Sequence, residues 1–291
     1  MTIKSILCIF GGDEDELNAL NTALILAKSY HANIRFLHIS PDPTRYAVTY
    51  NYGEAYAYGA LIEACEKENA QQLKKAQQSV AFFCSQHDIP LDDKGLDIPH
   101  LSARFLHFVG YPQTIIAREG RISDLIIMGR SKIQTTLPYD SNIVAALFDT
   151  ARPVVVMPKT ESPGEWKSKT VALAWDGSLE AARSLFNSLS LVEKTEKFYV
   201  LVLRSHNKPV DVFCEQGVME YLRAHGFNPN VMVIDREQHS TGEALLNKAR
   251  ELKADALIMG AYGHSRVREM FLGGVTNYML EKANIPLILS H

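Results

Sequence analysis

The chain is poor in the features that assign a protein quickly. Its four cysteines, Cys8, Cys65, Cys84 and Cys214, are scattered and form no Cys-x-x-Cys pair. That spacing argues against a zinc knuckle or a disulfide framework and for reduced thiols. The histidines show no metal-ligand spacing of the His-x-x-x-His kind, so no structural metal is expected. A formal net charge of -3 offers no basic face for nucleic acid. No apolar run approaches the roughly 18 residues needed to cross a bilayer, which argues against a membrane protein. The opening "MTIKSILCIFGGDEDEL" has too short an apolar stretch for a signal peptide, and acids follow where a cleavage site would stand. It reads as a strand, and the expected location is the cytoplasm.

What is present is a repeat. "RISDLIIMGRS" (121–131) is echoed by "LKADALIMGAY" (252–262), and "ARPVVVMP" (151–158) by "NIPLILS" (284–290). The openings "SILCIFGG" (5–12) and "TVALAWDGS" (170–178) correspond, as do "NIRFLHIS" (33–40) and "KFYVLVLRS" (197–205). Four matching segments in one order predict a duplicated domain, 1–158 and 167–291, with the polar, turn-rich "PKTESPGEWKSK" between them. At 291 residues the chain can supply a core to each.

Each copy alternates β-rich runs with helical patterns. In the second, strands are predicted at 170–175, 198–203, 230–235, 255–260 and 286–290, and helices near 179–190, 210–225, 243–253 and 275–283. Leu245, Ala249 and Leu252 form a core-facing stripe at i, i+4, i+7. The strands are continuous apolar runs, as expected for a parallel sheet buried on both faces. The predicted fold class is α/β, with two tandem open parallel sheets flanked by helices.

The least ordinary stretch is "ADALIMGAYGHSRVREMFLGGVTNYML" (254–280). Gly260 and Gly263 follow a strand, and Gly273, Gly274, Val275 and Thr276 open a helix. Unpaired N–H groups at a helix start, with no β-carbon in the way, suit a phosphate, and Thr276 adds a hydroxyl. This is neither the dinucleotide fingerprint, which should follow the first strand, nor a Walker loop, which is absent from the sequence. Asp176, in "AWDGS", ends a first strand, where its carboxylate could accept from ribose hydroxyls. A structural reading stands beside it: an aspartate before Gly-Ser also suits a helix N-cap.

These residues resemble the universal stress protein family. Its pattern is Gly-x2-Gly-x9-Gly-(Ser/Thr) after a strand ending Met-Gly, with an aspartate ending the first strand and a closing strand of the "PVLVV" kind. The second copy offers Met259-Gly260, Gly263, Gly273, Asp176 and "IPLIL". The resemblance implies five parallel strands per domain in an adenine-nucleotide α-hydrolase-like, Rossmann-like arrangement, and the whole chain resembles tandem bacterial members. It further implies ATP or AMP as ligand, with Mg as an accompanying ion. Ala174, Trp175 and Asp176 would lie at the first strand's end and Leu203 beside adenine. Met259 and Gly260 would meet adenine and ribose, Gly263 the ribose–phosphate, and Gly273, Gly274, Val275 and Thr276 the phosphates. Gly274 departs from the Ser/Thr of the pattern and implies weakened binding.

The first copy departs further, with Gly129-Arg130-Ser131-Lys132 at the place of the glycines and Phe10, Gly11 or Gly12 at that of Asp176. It is expected to have lost the nucleotide. His264 stands where it could reach a phosphate or act as acid or base, or simply face solvent. Arg266 and Arg268 have two readings, pairing with the phosphates or a place in a solvated loop. The tyrosine-rich "RYAVTYNYGEAYAYG" (45–59) is expected to pack as a lid or a partner surface. The helix predicted over Leu61 to Phe83 places Ala64, Leu73, Ala76 and Val80 on its buried side.

The leading functional reading is a non-enzymatic stress-response protein that senses an adenine nucleotide, with a homodimer as the expected assembly and the signalling partner unidentified. One alternative is a slow ATP hydrolase or self-phosphorylating protein using Thr276, Ser265 or His264. The other is a ligand-free scaffold. The fifth strands, "PVVVM" and "PLILS", are the expected contact between the copies, since pairing would hide their edges.

Overall fold

A computed structural model describes residues 3–44, 55–92, 101–130, 141–159, 166–204, 212–235, 239–261 and 274–291. In chain order the elements of the N-terminal half are β1 (Ser5–Ile9), α1 (Leu17–Tyr30), β2 (Asn33–Ser40), α2 (Ala55–Gln86), β3 (Ala103–Val109), α3 (Pro112–Gly120), β4 (Leu125–Gly129), α4 (Ser141–Asp149) and β5 (Val154–Met157). The C-terminal half continues with β6 (Thr170–Ala174), α5 (Leu179–Ser188), β7 (Lys197–Arg204), α6 (Val212–Ala224), β8 (Pro229–Asp235), α7 (Thr241–Glu251), β9 (Ala256–Gly260), α8 (Gly274–Lys282) and β10 (Leu287–Ser290).

The strands form one sheet in the order β3-β2-β1-β4-β5-β10-β9-β6-β7-β8. Within each half all neighbours run parallel. The α/β class and the two five-stranded parallel units agree with the sequence. The expected contact between the copies is found as well: β5 and β10 pair antiparallel in the register Val156–Leu287, Val155–Ile288 and Val154–Leu289, which joins the two units into one sheet. All six side chains are fully buried. A wholly apolar edge has no stable exposed state, so each unit covers the other's edge strand.

Period-two alternation sends successive strand residues to opposite faces, and both faces are covered. Ile6, Cys8, Phe36, Val171, Leu173 and Val200 pack on one side with residues of α1, α2, α5 and α6. Leu7, Leu37, Ala172, Leu201 and Met259 pack on the other with residues of α3, α4, α7 and α8.

The duplication reaches individual hydrogen bonds. Asp124 Oδ2 accepts from Ser5 N at 2.9 Å, and Asp255 Oδ2 accepts from Thr170 N at 2.8 Å. Each aspartate's own N–H donates back, to Ser5 O at 2.8 Å and Thr170 O at 2.7 Å. The aspartate before each "LIIMG" or "ALIMG" run therefore fixes the entry of β4 on β1 and of β9 on β6.

Helix α2 is longer than expected, and its buried stripe differs. Ala76, Val80 and Cys84 are buried and Leu73 half-buried, but Ala64 is exposed. The correction follows from reach: α1, β2 and β3 contact this helix, and its fully buried positions begin only at Ala76. Of the tyrosine-rich stretch, residues 45–54 lie outside the described residues and the remainder forms the first turns of α2.

Candidate functional site

The candidate residues gather at the carboxyl ends of β6, β7 and β9 and at the start of α8. Ala174 is the last residue of β6, in register with Leu201 on one side and Met259 on the other. Ala174, Leu203 and Val275 are partly buried beside the core that contains Met259, on the sheet face under α7 and α8. Trp175 parts from them. Its N–H donates to Leu201 O at 2.9 Å, while its indole packs on the opposite face. Alternation across the strand makes this unavoidable, so Trp175 brings backbone alone to the face that holds Ala174.

Asp176 and Gly177 form the turn out of β6. Gly177 takes φ +75°, a left-handed conformation that suits glycine. Asp176 is exposed, and its Oδ1 accepts from Ser178 N at 3.0 Å. The N-cap of α5 is Ser178, whose Oγ accepts from Ala181 N at 3.2 Å. The capping alternative for Asp176 is thereby corrected: its carboxylate is not needed to start the helix.

Gly260 has a packing reason of its own. A β-carbon there would lie 2.7 Å from Ala181 N and from Glu180 C, so the first turn of α5 sits directly on the end of β9. Gly274 is the opposite case, since a β-carbon there would meet nothing within 4 Å. A side chain at the start of α8 would therefore meet no described neighbour. Thr276 is buried at 3% exposure, which turns it toward the core. Gly263, His264 and Gly273 lie outside the described residues, as do Arg266 and Arg268.

Sequence reasoning missed Ser184. It is wholly buried on α5, donates to Met259 O at 2.8 Å and accepts from Ser290 N at 2.9 Å. One hydroxyl thus ties the ends of β9 and β10 beneath α5. A serine on a helix's apolar stripe was the available signal, because a buried hydroxyl requires partners.

The N-terminal half shows what replaces this arrangement. Phe10 N donates to Leu37 O as Trp175 N does to Leu201 O. Asp13 holds the extended conformation before the first helical turn, as Ser178 does. Gly11 therefore occupies the position of Asp176. Its N–H donates to Glu16 Oε2 at 2.6 Å, and Glu16 is buried at 9% exposure. A β-carbon on Gly129, the counterpart of Gly260, would lie 3.0 Å from Glu16 Cγ. The equivalent residue in the C-terminal half is the small Ala181, so here the chain's own carboxylate fills the strand-end niche. A shallow polar cleft of about 410 Å³ lies nearby, lined by Gly12, Asp13, Glu14, Lys75, Gln78 and Ser79.

Among the described residues no group of three or more histidine, cysteine or acidic side chains could hold a metal ion. No described helix is long and apolar enough to cross a membrane.

Fold and site together define a doubled α/β protein whose candidate ligand end lies at the carboxyl termini of β6, β7 and β9. Residues 180–291 match the model of the universal stress protein family. Through its C-terminal half the chain is therefore similar to the universal stress protein family. It is 22% identical over 293 aligned residues to universal stress protein Slr1230 of Synechocystis, covering 98% of this chain and 99% of that one. A universal stress protein structure from Archaeoglobus fulgidus superposes with a TM-score of 0.68 at 17% identity, over 98% of this chain and 95% of that one. A putative universal stress protein from Pseudomonas aeruginosa gives 0.58 at 15% identity, over 99% and 93%.

Proposed function

We propose that the C-terminal half binds one adenine nucleotide, ATP or AMP, as a sensed ligand in a stress-response protein without committed chemistry. The observation that carries this reading is the placing of Ala174, Leu203, Met259 and Val275 on one face of the sheet, at the strand-end side that also carries the exposed Asp176. The residues present fit such a ligand. A flat base suits a partly buried apolar patch, ribose hydroxyls suit an exposed carboxylate, and phosphates suit unpaired helix amides. Magnesium would enter with ATP, held by its phosphates.

The N-terminal half is proposed not to bind. At Glu16 a carboxylate already takes the Gly11 amide, and a second anion there would meet like charge. The chain would then hold one nucleotide and use its other half as a structural partner. Cytoplasmic location and a homodimer belong to the same proposal.

Ligand binding stabilises the state that holds it, by an amount set by ligand concentration over Kd. ATP should therefore raise the Tm of the wild type and leave that of Asp176→Ala unchanged. Heating and filtering the purified protein, then identifying released adenine compounds, separates a sensor from a hydrolase: intact ATP supports the first and stoichiometric ADP the second. Equal Tm responses of wild type and Asp176→Ala would place the ligand elsewhere.

A further inference from the structure

Resting on that reading, we propose that the N-terminal half braces α8, the helix whose start would face the phosphates, and that Arg130 is the positioning residue. Arg130 follows β4 and reaches across the seam. Its Nη1 donates to Glu281 O at 3.2 Å and its Nη2 donates to Ala283 O. Glu281 lies in the last turn of α8 and Ala283 directly follows it, where carbonyls lack a helical N–H partner and carry the negative end of the helix dipole.

The contact is costly to build. Among the described residues, Arg130 Nε is buried without a hydrogen-bond partner and no carboxylate lies within ion-pair distance. Burial lowers its pKa, the mark of a cation removed from water without an opposite charge. The carbonyls of α8 are its compensation.

A second contact joins the halves at the exit of β9. The ring of Phe148, on α4, lies 4.0 Å from that of His291, whose Nδ1 is 2.9 Å from Ala261 O and donates to it. Ala261 leads out of β9 directly after Gly260. The grip runs one way. Gly129 and Gly260 hold equivalent places, so the counterpart of Arg130 is Ala261, which has no side-chain donor to return.

A short helix fixed at its C-terminal end keeps its N-terminal amides at a set distance from the strand ends. A guanidinium at one end and a phosphate at the other also act on one dipole in the same sense. Loosening the first should therefore weaken the second.

The test uses the full chain with Arg130→Met, which keeps the stem and removes the donors, and Arg130→Lys, which keeps the charge. Hydrogen exchange is followed without nucleotide, and ATP affinity by calorimetry. In Arg130→Met, amides of α8 should exchange faster while those of β1 and β2 do not change, and ATP should bind on the order of tenfold more weakly. Arg130→Lys should fall between, and it decides the matter if the methionine variant does not fold. Unchanged exchange in α8, or faster exchange with wild-type affinity, would overturn the proposal. If the wild type binds no adenine nucleotide, the reading of the preceding section fails on its own. The exchange result then still decides whether Arg130 braces the helix.

Discussion

At residue scale, three glycines that look alike in the sequence have different physical grounds. Gly260 faces backbone of α5 at 2.7 Å, which cannot give way. Gly260→Ala should cost about 1–3 kcal/mol in urea unfolding, as overpacking does. Gly129→Ala should cost less, because its nearest neighbour at 3.0 Å is the side chain of Glu16. Gly274 has open space, so Gly274→Ser should change stability by no more than about 0.5 kcal/mol. The same change should tighten ATP binding in a titration by returning the hydroxyl of the family pattern. Asp176 was legible as a strand-end carboxylate because it stands alone before Gly-Ser. Glu16 was not: it is one of several acids in "GGDEDEL", and only the fold shows which one turns inward.

At element scale, the strands and helices of the C-terminal half were legible to within two residues or so at each end, because apolar runs, caps and turns agree there. Helix α2 was less so. Its sequence carries apolar residues along its whole length, and which of them are covered depends on where β2 and β3 end. The same layer contains a titrating group. His38, on β2 and 3% exposed, donates from Nδ1 to Phe10 O at 3.2 Å. Burial above all, and then the His107 imidazole 5.7 Å away, hold its pKa below the ordinary 6.5, while the Phe10 carbonyl opposes them. The fold thus keeps His38 neutral where the unfolded chain takes a proton. Its contribution is complete above pH 6.5 and is lost as pH falls through that value toward the folded-state pKa. Urea midpoints should accordingly decline from neutral pH to mildly acidic pH, and His38→Gln should flatten that slope. An equal slope in the variant would assign the loss to other groups.

At the scale of the whole molecule, the seam between β5 and β10 makes one cooperative body of two similar halves. The paired fifth strands were readable as apolar runs in need of cover. The antiparallel register of that pairing was not, because strand pairing across copies leaves no periodic trace. Ile288 is fully buried there, opposite Val155. Ile288→Ala should cost about 2–5 kcal/mol. Neither tryptophan lies in the N-terminal half, Trp166 standing in the linker and Trp175 in the C-terminal half, whereas circular dichroism reports both halves. The two signals should lose stability together in this variant, with coincident transitions. Separate transitions would mean that the seam does not couple the halves.

The most direct measurement is equilibrium dialysis of the full chain against labelled ATP, with wild type and Asp176→Ala side by side. The account expects one nucleotide per wild-type chain and a loss of most binding in the variant. No binding by the wild type, two nucleotides per chain, or equal binding by both proteins would contradict it.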